Sequence, residues 1–357
     1  METLLTAVER LIGIRSTADR PDELRRALDF VLDLVGPGFP VRRFDSGGKP
    51  SALVTTGPAT PRVILNAHLD VVPGTDAQFV PRRDGDRLHG RGAHDMKAAA
   101  VVLATVFRDC ARSLPCPIAL QLVTDEEVGG FDGTGHQVAQ GVRAGFVIIG
   151  EQSGLRIVTE SKGILRVRLD ASGRTAHAAY PWLGTNALVA VTDAVGRLLA
   201  RYPVPPSESW TTTVNVARIQ TSNTAANIVP ADASALLDIR FPPSDPDLTS
   251  SDVAAYLGAV AGPGVRVTVE AQGAPHAADP ASAFVRRLRS AAQAQGYEGT
   301  LLRKHGAADG RFYSAHGVDA VIFGPGGDGQ HGPEEYLDVR TLTPYREALM
   351  SFLRSLG

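Results

Sequence analysis

The sequence predicts an α/β fold: a mostly parallel sheet carries helices on both faces and is interrupted by an inserted ferredoxin-like α+β domain. Two observations support this prediction. Between residues 51 and 160, apolar runs that indicate buried strands alternate with helical patterns, as in a parallel sheet. After residue 163 the order becomes strand, helix, strand, strand, helix, strand, which is typical of a ferredoxin-like sandwich.

The length and composition fit a two-domain globular protein. The chain has 357 residues, which is long for a single core. Its 43% hydrophobic and 21% charged residues are ordinary for a globular enzyme. The formal net charge of -2 gives no reason to expect nucleic acid or an anionic membrane as a partner. Two cysteines, Cys110 and Cys116, exclude a disulfide framework or a cysteine-rich zinc site and fit a reduced interior.

Two amphipathic helices are predicted first, over residues 1–14 and 22–34. The first lacks the charged start and unbroken apolar core of a signal peptide. No stretch approaches the ~20 apolar residues of a membrane span. These features predict a cytoplasmic protein without a membrane partner.

The next elements form the parallel sheet and then the insertion. Strands are predicted at 51–55, 62–67, 118–123 and 146–150, with helices at 95–108 and 134–140. The insertion has strands at 164–170, 211–219, 233–241 and 265–269, with helices at 185–200 and 251–260. Helices at 281–295, 310–315 and 343–356 and a strand at 320–323 follow. The predicted domains are therefore 1–163 with 272–357, and 164–271.

Histidines and carboxylates follow the predicted strands at one edge of the sheet. Open α/β sheets bind ligands at the carboxyl ends of their strands. The candidate metal ligands at this edge are His68, Asp95, Glu127, Glu151 and His331. Such a set suits zinc, with cobalt or manganese as substitutes. Five ligands are more than one tetrahedral ion needs. If Asp95 binds two ions at once, the ions lie about 3.5 to 4 Å apart, and each also has one histidine and one further carboxylate as ligands.

The isolated motifs also allow simpler interpretations. A histidine at a strand end is more often a satisfied polar group than a ligand, and Asp125 to Glu127 alone could be a solvated acidic turn. The presence of all five candidate ligands at one edge of the sheet favours a metal site over both of these interpretations. The glycine-rich stretches at 90–92 and 324–329 lack the spacing of a phosphate loop or dinucleotide fingerprint, which argues against a nucleotide site.

The motifs as a set resemble the di-zinc amidohydrolase and exopeptidase family that includes acetylornithine deacetylase, succinyl-diaminopimelate desuccinylase, carboxypeptidase G and the aminoacylases. The resemblance covers nearly the whole chain and rests on five motifs: His68-Leu69-Asp70, Gly90-Arg91-Gly92-Ala93-His94-Asp95-Met96-Lys97, Asp125-Glu126-Glu127, Gly150-Glu151, and His331 before Glu334-Glu335-Tyr336. It implies the sheet of a zinc peptidase, with the insertion as a lid and dimerisation domain and a homodimer as the assembly.

The resemblance also implies roles for the residues around the metals. His68, Asp95 and Glu151 would hold one ion, and Asp95, Glu127 and His331 the other. Asp70 would be a catalytic residue that orients a ligand and does not bind an ion itself. Glu126 would be the general base that takes a proton from the metal-bridging water and passes it to the leaving nitrogen. Because neighbours in extended chain point opposite ways, Glu126 and Glu127 could serve different purposes.

The inserted domain supplies further candidates. The resemblance implies that His177 donates a hydrogen bond to the tetrahedral oxyanion, often in the partner subunit; the alternative is a capping histidine before Pro181. The residues that resemble substrate-binding positions of the family are Tyr180, Asn227, Arg240 and Arg311. Guanidinium groups suit a bidentate grip on a carboxylate, although arginines at element ends are commonly plain surface residues.

These features predict a hydrolase that cleaves the amide bond of an N-acyl amino acid or aminoacyl conjugate. Lys162, Ala307 and Gly327 depart from the pocket of the desuccinylase branch, and each unpaired polar group should cost ~1 to 3 kcal/mol. Succinyl-diaminopimelate is therefore not the expected substrate. A metallo-exopeptidase, either carboxypeptidase or dipeptidase, is the alternative. A third hypothesis is a homologue that binds no metal and acts as a binding or scaffold protein. It would require that some of the metal ligands or the general base had been lost. The roles of His94 and His305 are left open.

Overall fold

The computed structural model describes residues 2–357, which form two compact units. The first unit comprises the chain up to Thr159 together with Ala277–Leu302 and Ala308–Gly357. The second comprises Glu160–His276 and Arg303–Ala307, so that a short segment far along the sequence joins the insertion by its contacts. The predicted first helix included Met1, which lies outside the described residues.

The helices lie close to their predicted positions. The α-helices among residues 2–357 are α1 (Glu2–Ile12), α2 (Pro21–Val35), α3 (Ala98–Cys110), α4 (Thr134–Ala139), α5 (Ala187–Arg201), α6 (Val253–Ala261), α7 (Ala283–Gln293), α8 (Gly310–Ser314) and α9 (Leu342–Arg354). Across this described part of the chain, no helix is both long enough and apolar enough to span a bilayer.

The strands are more numerous than the sequence predicts, because several have only two to four residues. They are β1 (Val41–Ser46), β2 (Lys49–Thr55), β3 (Val63–His68), β4 (Arg82–Asp84), β5 (Arg87–His89), β6 (Ile118–Val123), β7 (Phe146–Ile149), β8 (Ile157–Ser161), β9 (Gly163–Ser172), β10 (Thr213–Gln220), β11 (Asp232–Phe241), β12 (Arg266–Gly273), β13 (His276–Ala277), β14 (Leu301–Lys304), β15 (Ala320–Ile322), β16 (Gly327–Asp328) and β17 (Tyr336–Asp338).

The central sheet has a parallel core, which confirms the predicted fold class. Its strand order is β1-β2-β6-β3-β7-β15-β8-β13, with β14 beside β8. The strands β6, β3, β7 and β15 are parallel to their neighbours in this core, while β1, β2 and β8 pair antiparallel at its sides. All residues of β3 and β6 are buried, as expected for parallel strands covered on both faces.

Alternating side chains of β3 supply two apolar cores. Val63 and Leu65 belong to the larger core, which includes buried residues of α1, α2, α3, α7 and α9. Ile64 belongs to the smaller core on the opposite face, which includes Val138 of α4 and Tyr313 of α8. The period-two alternation of a strand places these neighbours on opposite faces.

The second unit has the predicted ferredoxin-like arrangement. Its four-stranded sheet has the order β10-β11-β9-β12 with every neighbouring pair antiparallel, and α5 and α6 follow β9 and β11 along the chain. Helix α5 begins after Asn186 because the side-chain Oδ1 of Asn186 accepts hydrogen bonds from the backbone N–H groups of Leu188 and Val189. Leu165, Val167 and Leu169 of β9 are buried in the core of this unit.

A third, small sheet lies within the first unit and was not predicted. Its order is β16-β17-β5-β4, and all its pairs are antiparallel. The strands contain only two or three residues each, which is too short for a periodic signal. This sheet matters for the site, because β5 leads into the segment containing Asp95 and the β16–β17 hairpin contains His331.

Candidate metal centre

The candidate centre lies where three parallel strands end. His68 is the last residue of β3, Glu126 and Glu127 follow β6, and Glu151 follows β7. Because β3 pairs in parallel with both β6 and β7, these residues emerge at the same edge of the sheet. The edge is the one at which α/β sheets bind ligands.

His68 is buried and oriented by its neighbours. Its Nδ1 lies 3.1 Å from the backbone carbonyl oxygen of Asp70, and its Nε2 lies 3.0 Å from Oδ1 of Asp95. If Nδ1–H donates to the carbonyl, the lone pair of Nε2 is directed at the centre of the carboxylate cluster. This is the tautomer that can bind a cation.

Asp70 positions the turn that follows β6. It is fully buried, and its two carboxylate oxygens accept hydrogen bonds from the backbone N–H groups of Glu126 at 3.2 Å and Glu127 at 3.0 Å. Residues Glu126–Val128 form a 3-10 turn and not extended chain. The prediction that these glutamates diverge because they lie in extended chain is therefore wrong; their directions are set by the turn.

Asp95 lies between the two histidines. One carboxylate oxygen, Oδ1, is 3.0 Å from Nε2 of His68, and the other, Oδ2, is 3.3 Å from Nε2 of His331. Gln330 also donates from Nε2 to Oδ2 of Asp95, at 2.5 Å. Asp95 and Met96 have non-helical backbone angles and α3 begins at Ala98, so the predicted helix start at residue 95 was three residues early.

His331 reaches the cluster from the hairpin β16–β17 of the small sheet. Its Nε2 lies 3.0 Å from Oε2 of Glu127, and its side chain is 48% exposed. The backbone of His331 has φ 61°, in the left-handed region that few non-glycine residues occupy. The sequence predicts that His331 can reach this edge because a strand precedes it. In the structure, the pairing of β17 with β5 brings the hairpin that contains His331 next to Asp95.

The candidate ligand atoms form two groups. His68, Glu126 and Glu151 form one, and Asp95, Glu127 and His331 form the other, with the atoms of each group within 4.8 Å of one another. The second group contains the three residues predicted for one ion. In the first, Glu126 stands where Asp95 was predicted, although Asp95 itself contacts His68.

The electrostatics of the cluster fit a divalent cation. Burial raises the pKa of Glu126 well above its usual value, and the charge of Glu151 raises it further. Burial likewise raises the pKa of Glu127 to about 7. Although burial of His68 opposes its protonation, the carboxylates of Asp70 and Asp95 raise its pKa well above the usual value. A cation among these carboxylates would offset their repulsion, and the imidazole and carboxylate donors are those zinc prefers.

Behind the glutamate turn lie Asp309 and Arg311. The guanidinium of Arg311 is buried and donates to the carbonyl oxygens of Gly129 and Ala308. Oδ2 of Asp309 accepts a hydrogen bond from the hydroxyl of Thr134 at 2.5 Å. These contacts tie the end of the turn to α8. The substrate role of Arg311 stays a prediction, and two of its nitrogens are already bonded to backbone.

Asp309→Asn should change how the stability of the metal-free protein depends on pH. Burial raises the pKa of Asp309 to about 7, against about 3.9 in an unfolded chain. Between these values the folded state binds more protons, so the free energy of unfolding falls as pH rises. The asparagine does not titrate, and from pH 5 to pH 8 it should gain about 3 kcal/mol relative to wild type in urea unfolding. Parallel pH profiles for the two proteins would contradict this.

The remaining predicted residues lie in the second unit. His177 is exposed, and its Nδ1 accepts a hydrogen bond from the N–H of Ala179 at 3.1 Å. Its ring lies 5.8 Å from that of Tyr180, and the carbonyl oxygen of Asn227 accepts the N–H of Ala178. These three residues therefore share one surface.

Arg240 lies on β11 and forms a salt bridge to Asp238, with 2.6 Å between Nε and Oδ1. His305 contacts Glu208 at 3.1 Å and the ring of Trp210 at 5.4 Å within the same unit. His94 is buried in the first unit, and a Cβ added to Gly327 would lie 2.5 Å from its Nδ1. The absence of a side chain at Gly327 therefore leaves room for the imidazole of His94.

Sequence reasoning missed the residues that hold the ligands in place. Gln330 contacts Asp95, while Arg91 and Glu335 form a buried ion pair at 2.6 Å beside it. The sequence signal that could have identified the ion pair is that both residues are charged and lie inside the motifs. Arg91 lies between two glycines, and Glu335 follows His331 by four residues. Buried charges of this kind are rarely left unpaired.

Comparison with known proteins assigns the chain to a family. The model of peptidase family M20/M25/M40 matches residues 64–355. A probable carboxypeptidase of Aspergillus terreus is 35% identical over 53% of this chain and 47% of its own length, so the chain spans about half of that relative. A succinyl-diaminopimelate desuccinylase of Bordetella parapertussis is 29% identical over 99% of this chain and 98% of its own.

A solved structure shows the same fold. The M20 family metallo-carboxypeptidase Sso-CP2 of Sulfolobus solfataricus superposes with a TM-score of 0.79, at 18% identity, over 99% of each chain. At this identity the likeness concerns the fold and not the substrate.

Proposed function

The chain belongs to peptidase family M20/M25/M40, and from this membership we propose that it is a metal-dependent hydrolase that cleaves the amide bond of an N-acyl amino acid or an aminoacyl conjugate. One observation carries the proposal: Asp95 contacts His68 with one carboxylate oxygen and His331 with the other. A carboxylate placed in this way can bridge two cations.

The proposed cofactors are two divalent ions, with zinc favoured and cobalt or manganese as substitutes. His68, Asp95 and Glu151 would hold one, and Asp95, Glu127 and His331 the other. When bound, such ions polarise a substrate carbonyl and lower the pKa of a coordinated water. The grouping of Asp95, Glu127 and His331 supports the second site. For the first site the support is the 3.0 Å contact between Nε2 of His68 and Oδ1 of Asp95, since the ligand atoms of His68 and Glu151 group with Glu126.

Glu126 is the proposed general base. It takes a proton from the attacking water and delivers it to the leaving nitrogen. Burial raises the pKa of its carboxyl group in the metal-free protein, as expected for a carboxyl group held in a buried site. Asp70 supports catalysis by fixing the backbone of Glu126 and Glu127.

The second unit is proposed to contribute substrate contacts. His177 would donate a hydrogen bond to the oxyanion, with Tyr180 and Asn227 beside it on the same surface. Arg240 would bind a substrate carboxylate, which requires it to exchange its salt bridge with Asp238. Arg311 is the remaining proposed substrate residue.

We also propose a homodimer formed through the second unit, in a cytoplasmic protein. Several apolar side chains near His177 are exposed, including Tyr180 at 52%, Trp182 at 72% and Leu183 at 58%. A surface of this kind is typical of protein contacts. The two free cysteines, Cys110 and Cys116, fit a reducing compartment.

The alternative is a metallo-exopeptidase, either a carboxypeptidase or a dipeptidase. It is favoured by the 35% identity to the Aspergillus relative, a probable carboxypeptidase. The metal site and the general base would be the same. The difference lies in whether the bond cleaved joins an acyl group or a second amino acid.

The experiment is a substrate screen of the zinc-loaded protein. Release of free amino acid is measured from N-acetyl and N-succinyl amino acids and from dipeptides, before and after chelation. We expect hydrolysis of an acyl amino acid or aminoacyl conjugate, its loss with chelator and its return with zinc, cobalt or manganese. Preference for dipeptides by tenfold or more would favour the exopeptidase. No hydrolysis of any substrate by protein holding two zinc ions would overturn both.

A further inference from the structure

A buried ion pair lies beside the candidate centre. Nη1 of Arg91 is 2.6 Å from Oε2 of Glu335, and the two residues are 3% and 2% exposed. Burying two charges costs more desolvation energy than an apolar pair of the same size, so the pair is weak evidence for stability alone. Its other hydrogen bonds indicate what it does.

Glu335 contacts the backbone of the bridging residue. Its second oxygen, Oε1, accepts hydrogen bonds from the N–H groups of His94 at 3.0 Å and Asp95 at 3.2 Å. The Asp95 peptide group is therefore fixed by a charged acceptor. Such charge-assisted bonds are stronger than those between neutral groups.

Arg91 contacts the loop that contains the other histidine. Its Nη2 donates to the carbonyl oxygen of His331 at 3.2 Å and to that of Pro73 at 3.4 Å. His331 has a left-handed backbone conformation, which persists only when its surroundings hold it. The guanidinium, a rigid fork of donors, can bond to Glu335 and to this carbonyl at once.

The backbones around the pair reinforce the same connection. The N–H of Gly90 donates to the carbonyl oxygen of Glu335 at 3.2 Å, and the N–H of Arg91 donates to that of Gln78 at 2.7 Å. The side chain of Gln78 in turn donates to the carbonyl oxygen of Gly332 at 3.1 Å. Two segments some 240 residues apart are thus bonded to each other immediately beside Asp95 and His331.

We propose that Arg91 and Glu335 are positioning residues that hold Asp95 and His331 at the spacing a divalent ion requires, and thereby set the affinity of the centre for its metal. This inference rests on the proposed function, because it presumes that these residues bind metal. Neither side chain is assigned a contact with substrate. The pair acts through the backbones of the two ligand residues.

The test uses Glu335→Gln and Arg91→Lys in the full-length protein. In Glu335→Gln, the amide oxygen can accept from only one side, either from the N–H groups of His94 and Asp95 or from the guanidinium of Arg91. The other donors then face the amide NH2, and their hydrogen bonds to residue 335 are lost. In Arg91→Lys the charge remains, but the fork that bonds to Glu335 and His331 together is lost. The matched control is Asp109→Asn, which breaks a 2.8 Å ion pair with Arg346 in the same unit.

Zinc affinity is measured by competition with a chromophoric chelator, and the cobalt-substituted proteins are compared by their visible absorption spectra. We expect at least one zinc equivalent to bind about 10- to 100-fold more weakly in both variants, with an altered cobalt spectrum. The control should match wild type in both. In the zinc-loaded variants kcat should fall while KM changes little.

The outcomes separate this inference from the proposed function. Wild-type protein that takes up no zinc would refute the function and the inference with it. Wild type that binds two ions, together with variants that bind them equally well, would refute the inference alone. A general packing role would lower the unfolding temperature of the metal-free variants without changing zinc affinity or the cobalt spectrum. If Glu335→Gln does not fold, unchanged affinity in Arg91→Lys is the contradicting result.

Discussion

Replacing Glu126 with glutamine is expected to lower kcat by about 10²- to 10⁴-fold while the protein keeps both metal ions. The amide has nearly the same shape as the carboxyl group, but it cannot accept the proton of the attacking water. The backbone bonds from Glu126 and Glu127 to Asp70 do not involve the substituted group. The turn should therefore keep its geometry.

The control for this variant is Glu334→Gln, which changes a nearby exposed glutamate whose side chain is 79% accessible. It should retain wild-type kcat and metal content. Metal analysis is essential, because the carboxylate of Glu126 also lies within 4.8 Å of the ligand atoms of His68 and Glu151. Full turnover in Glu126→Gln would refute its role as a base, and loss of an ion with the activity would make it a ligand.

Replacing Asp95 with alanine is expected to weaken the binding of both ions and to abolish measurable turnover. Asp95 contacts His68 with one oxygen and His331 with the other, so removal of its carboxylate takes one contact from each histidine and one ligand from each proposed ion. His331→Ala should weaken one ion only. Loss of a ligand from a zinc site leaves too few donors for tetrahedral coordination.

The comparison is made by metal titration of the two variants and Asp109→Asn as control. Two weakened equivalents in Asp95→Ala and one in His331→Ala would fit a bridging carboxylate. Equal losses in the two variants would contradict it. Metal binding is best measured at pH 7 or above, since burial raises the pKa of Glu127 to about 7 and protons compete with the metal below that.

The sequence predicted the parallel core of the fold because its strands are strongly apolar. In β3 and β6 every residue is buried; His68 is the last residue of β3, and Glu126 comes three residues after the end of β6. The ferredoxin-like unit was predicted for a similar reason: in β9 apolar residues alternate with polar ones from Leu165 to Ser172. Long elements with a clear period leave a signal in the sequence.

The position of His331 could not be predicted in the same way. It depends on strands of two and three residues, whose pairing joins residues near 88 to residues near 337. The directions of Glu126 and Glu127 depend on hydrogen bonds to Asp70, about 56 residues away in the sequence. Such contacts are set by tertiary structure, and no local pattern encodes them. The same holds for the Arg91–Glu335 pair, whose members are 244 residues apart.

The central claim is that these side chains bind two divalent ions that share Asp95. The most direct test is a crystal structure of the zinc-loaded protein with anomalous diffraction data collected at the zinc edge. We expect two anomalous peaks about 3.5 to 4 Å apart, one beside His68 and Glu151 and the other beside Glu127 and His331, with Asp95 between them. Loaded protein with no peak among these residues, or with its zinc bound elsewhere, would contradict it.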